Sequence, residues 1–88
     1  MIWKLEKKDI GRKVFKAKPG AELKENNCSF GSITSFNEDY AFIKYNGDRK
    51  STAEFPKSLE FVDDFNIRNG TLTRKDNYNG KSNTNPKG

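Results

Sequence analysis

Residues 28–47 read CSFGSITSFNEDYAFIKYNG, and this stretch decides the fold class. Its first nine residues carry Phe30, Ile33, Thr34 and Phe36, the β-branched and aromatic types that suit a pleated surface. Asn37-Glu38-Asp39 then supplies a tight turn, and residues 40–45 form a further strand. Asn46-Gly47 closes it with a favoured hairpin dipeptide, because both residues tolerate positive φ. Gly31 lies inside the first of these strands, where an isolated glycine marks a bulge, a sharp bend or a close backbone approach.

Working outward, the chain continues in the same manner. Ile2, Trp3, Leu5 and Ile10 stand among charged residues at the start, and Asp9-Ile10-Gly11 reads as a turn into a strand over residues 12–17. Pro19-Gly20 ends that strand. Residues 21–27 are polar and make a long loop, with room for one weak helical turn at residues 21–24. Downstream lie a strand at 51–55, a single 3-10 turn at 56–59 and a short strand at 60–62. The whole is an all-β pattern with the layout of a small five-stranded SH3-like barrel spanning residues 1–62. Residues 63–74 hold two alternating segments around Asn69-Gly70, which predict a C-terminal β-hairpin or an arm that pairs with another chain. A lone hairpin is marginal in water and needs support from the barrel or a second subunit. Residues 75–88 are mostly Asn, Gly, Lys and Ser, the composition of a flexible basic tail.

Composition agrees with one small domain. With 88 residues and 32% hydrophobic content, the core must be compact and largely aromatic. Seven Phe, three Tyr and one Trp meet that need, since each ring buries about 150–250 Å². Cys28 is the single cysteine, so no disulfide framework exists, and with no signal peptide visible the expected setting is a reducing, cytoplasmic one. No apolar run approaches the roughly 18–20 residues of a membrane span, and no membrane partner is expected. The net charge of +5 is unevenly placed: residues 1–66 carry 12 Lys/Arg against 11 Asp/Glu, and residues 67–88 carry five against one.

Catalytic chemistry finds little purchase. The chain has no His, the commonest general base and metal ligand. Cys28 has neither a second Cys nor an activating base, and reads as a small apolar side chain. Asp63-Asp64 lacks further ligands for a metal, and Gly11, Gly20, Gly31, Gly47 and Gly70 are isolated turn glycines, not a phosphate loop. We therefore expect no enzyme, no cofactor and no metal.

Binding is the better prospect. Alternation along residues 40–45 puts Ala41, Ile43 and Tyr45 on one face and Tyr40, Phe42 and Lys44 on the other. One face fills the core; the other must be covered by Trp3 and Leu5, by Ile67 and Leu72, by a second subunit or by a ligand. Tyr40 and Phe42, with Lys44, Arg49 and Lys50 nearby, could stack a base and meet a phosphate. Arg68, Arg74 and Lys75 complete the set of candidate ligand-binding residues.

The segments DIGRKV (residues 9–14), CSFGSITSFN (28–37), YAFIKY (40–45), STA (51–53) and PKSL (56–59) resemble small single-domain SH3-like proteins of bacteriophages and prophages. The resemblance covers about 54 residues and rests on glycines, turns and core positions, so it carries over no functional residues. It implies a viral protein that interferes with host machinery or antiviral defence by binding. Three partners fit: a small anionic nucleotide signal held by a homo-oligomer, a host protein bound directly, or nucleic acid met through the basic tail.

Overall fold

The computed structural model describes residues 1–75, and it is all-β, with seven strands in two antiparallel sheets and no α-helix among those residues. The larger sheet contains β1 (Lys13–Ala17), β2 (Cys28–Phe36), β3 (Ala41–Tyr45), β4 (Thr52–Glu54) and β5 (Glu60–Phe61), in the spatial order β4-β3-β2-β1-β5. The smaller one is the hairpin of β6 (Phe65–Arg68) and β7 (Thr71–Arg74). Single 3-10 turns occur at Lys7–Asp9, Glu25–Asn27, Pro56–Ser58 and Val62–Asp64. The loop after β1 thus places its helical turn at residues 25–27, not at the expected 21–24.

The sheet does not close into a barrel. β4 and β5 are its two edges, and no ladder joins them among the described residues. A polar link spans part of the gap. Glu54 of β4 accepts from Lys16 Nζ of β1 at 3.0 Å and from Tyr45 Oη at 2.6 Å. The sheet is therefore curled enough to bring its fourth strand against its first, without the backbone pairing of a complete barrel.

Both faces of β1 are buried. Val14 and Phe15 are adjacent, point to opposite sides and are each 0% exposed. Val14 joins Ile2, Ile33, Ala41, Ile43 and Leu59 in the core on the concave side. Phe15 joins Phe65 and Leu72 in a second core beneath the hairpin, where Phe15 meets Phe65 edge-on at 5.0 Å and Phe30 at 5.6 Å. Side chains of this size each contribute about 1.5–3 kcal/mol on full burial.

The hairpin is tied down within the chain and is not a free arm. Glu25 N donates to Gly70 O (2.8 Å) and Leu72 N to Leu23 O (3.0 Å). Of the two expectations, a β-hairpin or an arm that pairs with another chain, the chain forms the hairpin, and the long loop after β1 supplies its backbone partners. Asn69 and Gly70 both adopt positive φ (51° and 79°), as the Asn-Gly turn requires. The expected flexible tail falls almost wholly on residues 76–88, outside the described residues.

Gly31 is a close-approach glycine. A Cβ there would lie 2.5 Å from Lys44 O and 2.8 Å from Tyr45 Cα, so β3 rests on β2 at a distance that no side chain permits. The bulge lies three residues on. Ile33 pairs with Ile43 and Ser35 with Phe42, leaving Thr34 as the extra residue, its hydroxyl donating to Phe42 O at 3.0 Å.

Asp9 fixes the entry to β1. Its buried carboxylate accepts from Glu6 N at 2.8 Å and from Arg12 Nη1 at 3.0 Å, and Arg12 also lies 3.6 Å above the Phe61 ring centroid. The Glu6 N–H, opposed by burial and aided by Arg12, holds the Asp9 carboxyl below the usual carboxylate range.

Gly31→Ala should cost about 2–3 kcal/mol in urea unfolding, because the atoms it meets are backbone, while Ser35→Ala on the same strand should stay within about 0.5 kcal/mol. Asp9→Asn should cost about 1–2 kcal/mol at neutral pH. Because the Asp9 pKa is lowered on folding, its contribution is complete above the unfolded value near 3.9 and is lost as pH falls through the lower folded value. The stability gap between wild type and Asp9→Asn should therefore narrow in acid, measured by unfolding between neutral pH and about pH 2.

Candidate functional site

The outer face of the sheet, opposite the Val14 core, is covered over only part of its area. Phe15, Ala17, Cys28 and Phe30 lie under the hairpin. Beyond them the cross-strand partners Lys13, Ser32 and Lys44 form a row, and past the bulge Ser35, Phe42 and Ala53 form another. Tyr40 and Phe55 continue the register by one step and stack at 5.3 Å between ring centroids with 30° between planes. Tyr40 is held by the turn: its N–H and that of Asp39 donate to Asn37 Oδ1 at 2.8 and 2.9 Å. The hydroxyls of Thr34 and Ser51, 2.7 Å apart, tie the β3–β4 loop to the bulge.

This face is basic and aromatic. The carboxylate at its strand positions, Glu60 opposite Phe15, lies at the hairpin end and is paired with Arg74. Lys13 and Lys44 are exposed on it, about 10 Å apart across two strand spacings. Arg49 and Lys50 are exposed in the loop that Ser51 anchors. None of these four cations enters an ion pair among the described residues, whereas Arg12, Lys16, Lys24 and Arg74 all do. An aromatic run extends the face. Phe55 is 58% exposed, Tyr40 38%, and Trp3, which lines a cleft with both, 81%.

The eight sequence-predicted residues therefore divide. Tyr40, Phe42 and Lys44 share the uncovered face, Phe42 half-buried, with Arg49 and Lys50 in the adjoining loop. Arg68, Arg74 and Lys75 sit on the hairpin, away from it. Arg74 is structural: its guanidinium pairs with Glu60 at 3.0 Å and lies 4.8 Å over the Phe65 ring. Arg68 and Lys75 are exposed. Lys13, Phe55 and Trp3 were missed, and the signal for the first two was register, since Lys13 reaches the row through Ser32 and Phe55 through Tyr40. Of the alternative covers for the Phe42 face, the hairpin takes only the Phe15–Phe30 end, and Trp3 does not lie over the face. Trp3 is the most exposed large apolar side chain, and Leu72 fills the core around Phe15.

A second cleft, about 430 Å³, opens at the far end of β1 between Lys16, Lys18, Asn26, Ser29, Tyr45 and Glu54. Its carboxylate is fully engaged by Lys16 and Tyr45, and burial together with the Glu54 hydrogen bond raises the Tyr45 pKa, so the phenol stays protonated. Cys28 also borders this cleft, and burial raises its thiol pKa, which keeps it the weaker nucleophile. Asp63 faces Arg12 at 3.6 Å, and no cluster of three or more potential metal ligands occurs among the described residues. No helix of the described residues is long and apolar enough to cross a membrane.

No family model, curated protein or solved structure matches the chain.

Tyr45→Phe keeps the ring but removes the donor to Glu54. It should destabilise the fold by about 1 kcal/mol in urea unfolding, with no change in the slope of the transition.

Proposed function

We propose that this chain is a non-enzymatic binding module that holds single-stranded nucleic acid across the uncovered face of an SH3-like sheet left open between β4 and β5. The observation that carries the reading is the set of four unpaired cations beside an exposed aromatic row. Single-strand binders need that combination: rings that stack on any base, and positive charges along the track of the phosphates. Tyr40, Phe55 and Phe42 supply the rings, and Lys13, Lys44, Arg49 and Lys50 the charges. In the phage-type setting that the sequence resemblance implies, such a module would act on host nucleic-acid machinery or defence.

A nucleotide signal would use the same stacking and the same cations, and enclosing it would take a second copy of the chain. The open sheet face favours a polymer, because an extended strand gains contacts along its length without being enclosed. Direct capture of a host protein would use the exposed aromatics but would leave the four cations without a role.

The test is fluorescence anisotropy of a labelled ten-nucleotide oligothymidylate with the full chain at several salt concentrations. Binding should weaken with salt by about 0.7 in log–log slope per phosphate neutralised. Lys13→Ala and Lys44→Ala should each lower that slope by about 0.7, and Tyr40→Ala with Phe55→Ala should weaken affinity at least about tenfold. Melting temperatures, measured alongside, separate these effects from unfolding. Absence of salt-dependent binding at protein concentrations on the order of 100 µM would overturn the reading.

A further inference from the structure

The cleft beside Trp3 differs in chemistry from the rest of the face. It measures about 490 Å³ and is lined by Trp3, Tyr40 and Phe55 together with Glu38, Asp39 and Lys57. A neighbouring cleft of about 430 Å³ lies against the same Trp3 and also reaches Glu38. Glu38 is thus the carboxylate common to both hollows. It is exposed, and among the described residues it has no ion-pair partner and accepts no side-chain hydrogen bond. The turn that carries it is fixed at its base by Asn37, which accepts from two backbone N–H groups, so the carboxylate stands on a defined loop beside three aromatic side chains.

We propose that this cleft is a base-selecting pocket for guanine, with Glu38 accepting the base's N–H donors while Trp3, Tyr40 and Phe55 stack on its ring. The inference rests on the single-strand reading above. A carboxylate is acceptor-only and offers two oxygens side by side. Guanine alone among the bases presents two adjacent N–H donors, the ring N1–H and the exocyclic amine, on its pairing edge. Adenine and cytosine offer an amine next to a bare ring nitrogen. Thymine and uracil flank their single N–H with two carbonyl oxygens, which a carboxylate repels. Glu38 and Asp39 both line this cleft, and a carboxylate beside a phosphate track opposes binding unless it faces a base edge, the role that falls to Glu38 because it reaches both hollows. Lys57, on the rim of the same cleft, is placed for the phosphate beside that base.

Trp3 is the only tryptophan in the chain, so its emission reports on this cleft directly. The experiment titrates the full protein with five-nucleotide oligothymidylates whose central residue is thymine, guanine, adenine or cytosine, following Trp3 quenching. The guanine oligonucleotide should bind about tenfold more tightly than the other three, the discrimination expected of one bidentate base contact. Glu38→Gln should abolish that preference while leaving the all-thymine affinity unchanged or higher. Lys57→Ala should weaken all four alike. Glu38 is an exposed turn residue, so an unchanged melting temperature for Glu38→Gln checks that the fold is intact. Equal, salt-dependent binding of all four oligonucleotides would overturn the guanine assignment and leave the single-strand reading standing. So would a preference that survives Glu38→Gln. No binding of any of them, by quenching or by anisotropy, would overturn both.

Discussion

The structure depends on the burial of β1 from both sides. A strand whose neighbouring residues Val14 and Phe15 both reach zero exposure must have a layer against each face. One layer is the concave interior built by Ile33, Ala41, Ile43 and Leu59; the other is the β6–β7 hairpin, which sets Phe65 and Leu72 around Phe15. The hairpin is too small to be stable by itself, and β1 would expose an aromatic ring without it. Each needs the other. The long loop after β1 completes the arrangement by giving its Leu23 carbonyl and Glu25 N–H to the hairpin's backbone.

The same arrangement defines the candidate site by subtraction. The hairpin is wide enough to cover the Phe15–Phe30 end of the outer face and no more, so Lys13, Lys44, Phe42 and Tyr40 stay on the surface. The ion pairs lie elsewhere. Lys16 and Glu54 belong to the concave side, Arg12 to the Asp9 turn, and Arg74 to the Glu60 edge. The paired charges thus gather at the Asp9 turn, the Glu54 link and the Glu60 edge, while Lys13, Lys44, Arg49 and Lys50 stand without ion pairs among the described residues.

Local features of this arrangement were legible in the sequence, and long-range ones were not. The Asn69-Gly70 hairpin, the bounds of β2 and the 3-10 turn at Pro56 follow from short-range rules of φ and turn chemistry. Gly31 was recognisable as special, yet whether it marked a bulge or a close approach depended on the position of β3, which only the folded chain supplies. Alternation grouped Tyr40, Phe42 and Lys44 correctly because side chains repeat every two residues along a strand. It could not add Lys13 or Phe55, since those join through the register of separate strands, and a bulge at Thr34 shifts that register by one. Arg74 looked like a free cation in the sequence. Its partner Glu60 lies 14 residues away, a pairing that no local pattern encodes.

An open sheet carries two unsatisfied rims, and such rims are ready templates for further strands. Here β4 is three residues long and runs directly into Phe55 and Pro56, while β5 is two residues long and is bounded by 3-10 turns. A docking strand would find at most one or two backbone partners on either rim before the chain turns away. Brevity does for this sheet part of what closure does for a complete barrel: it leaves little exposed backbone for another strand to pair with.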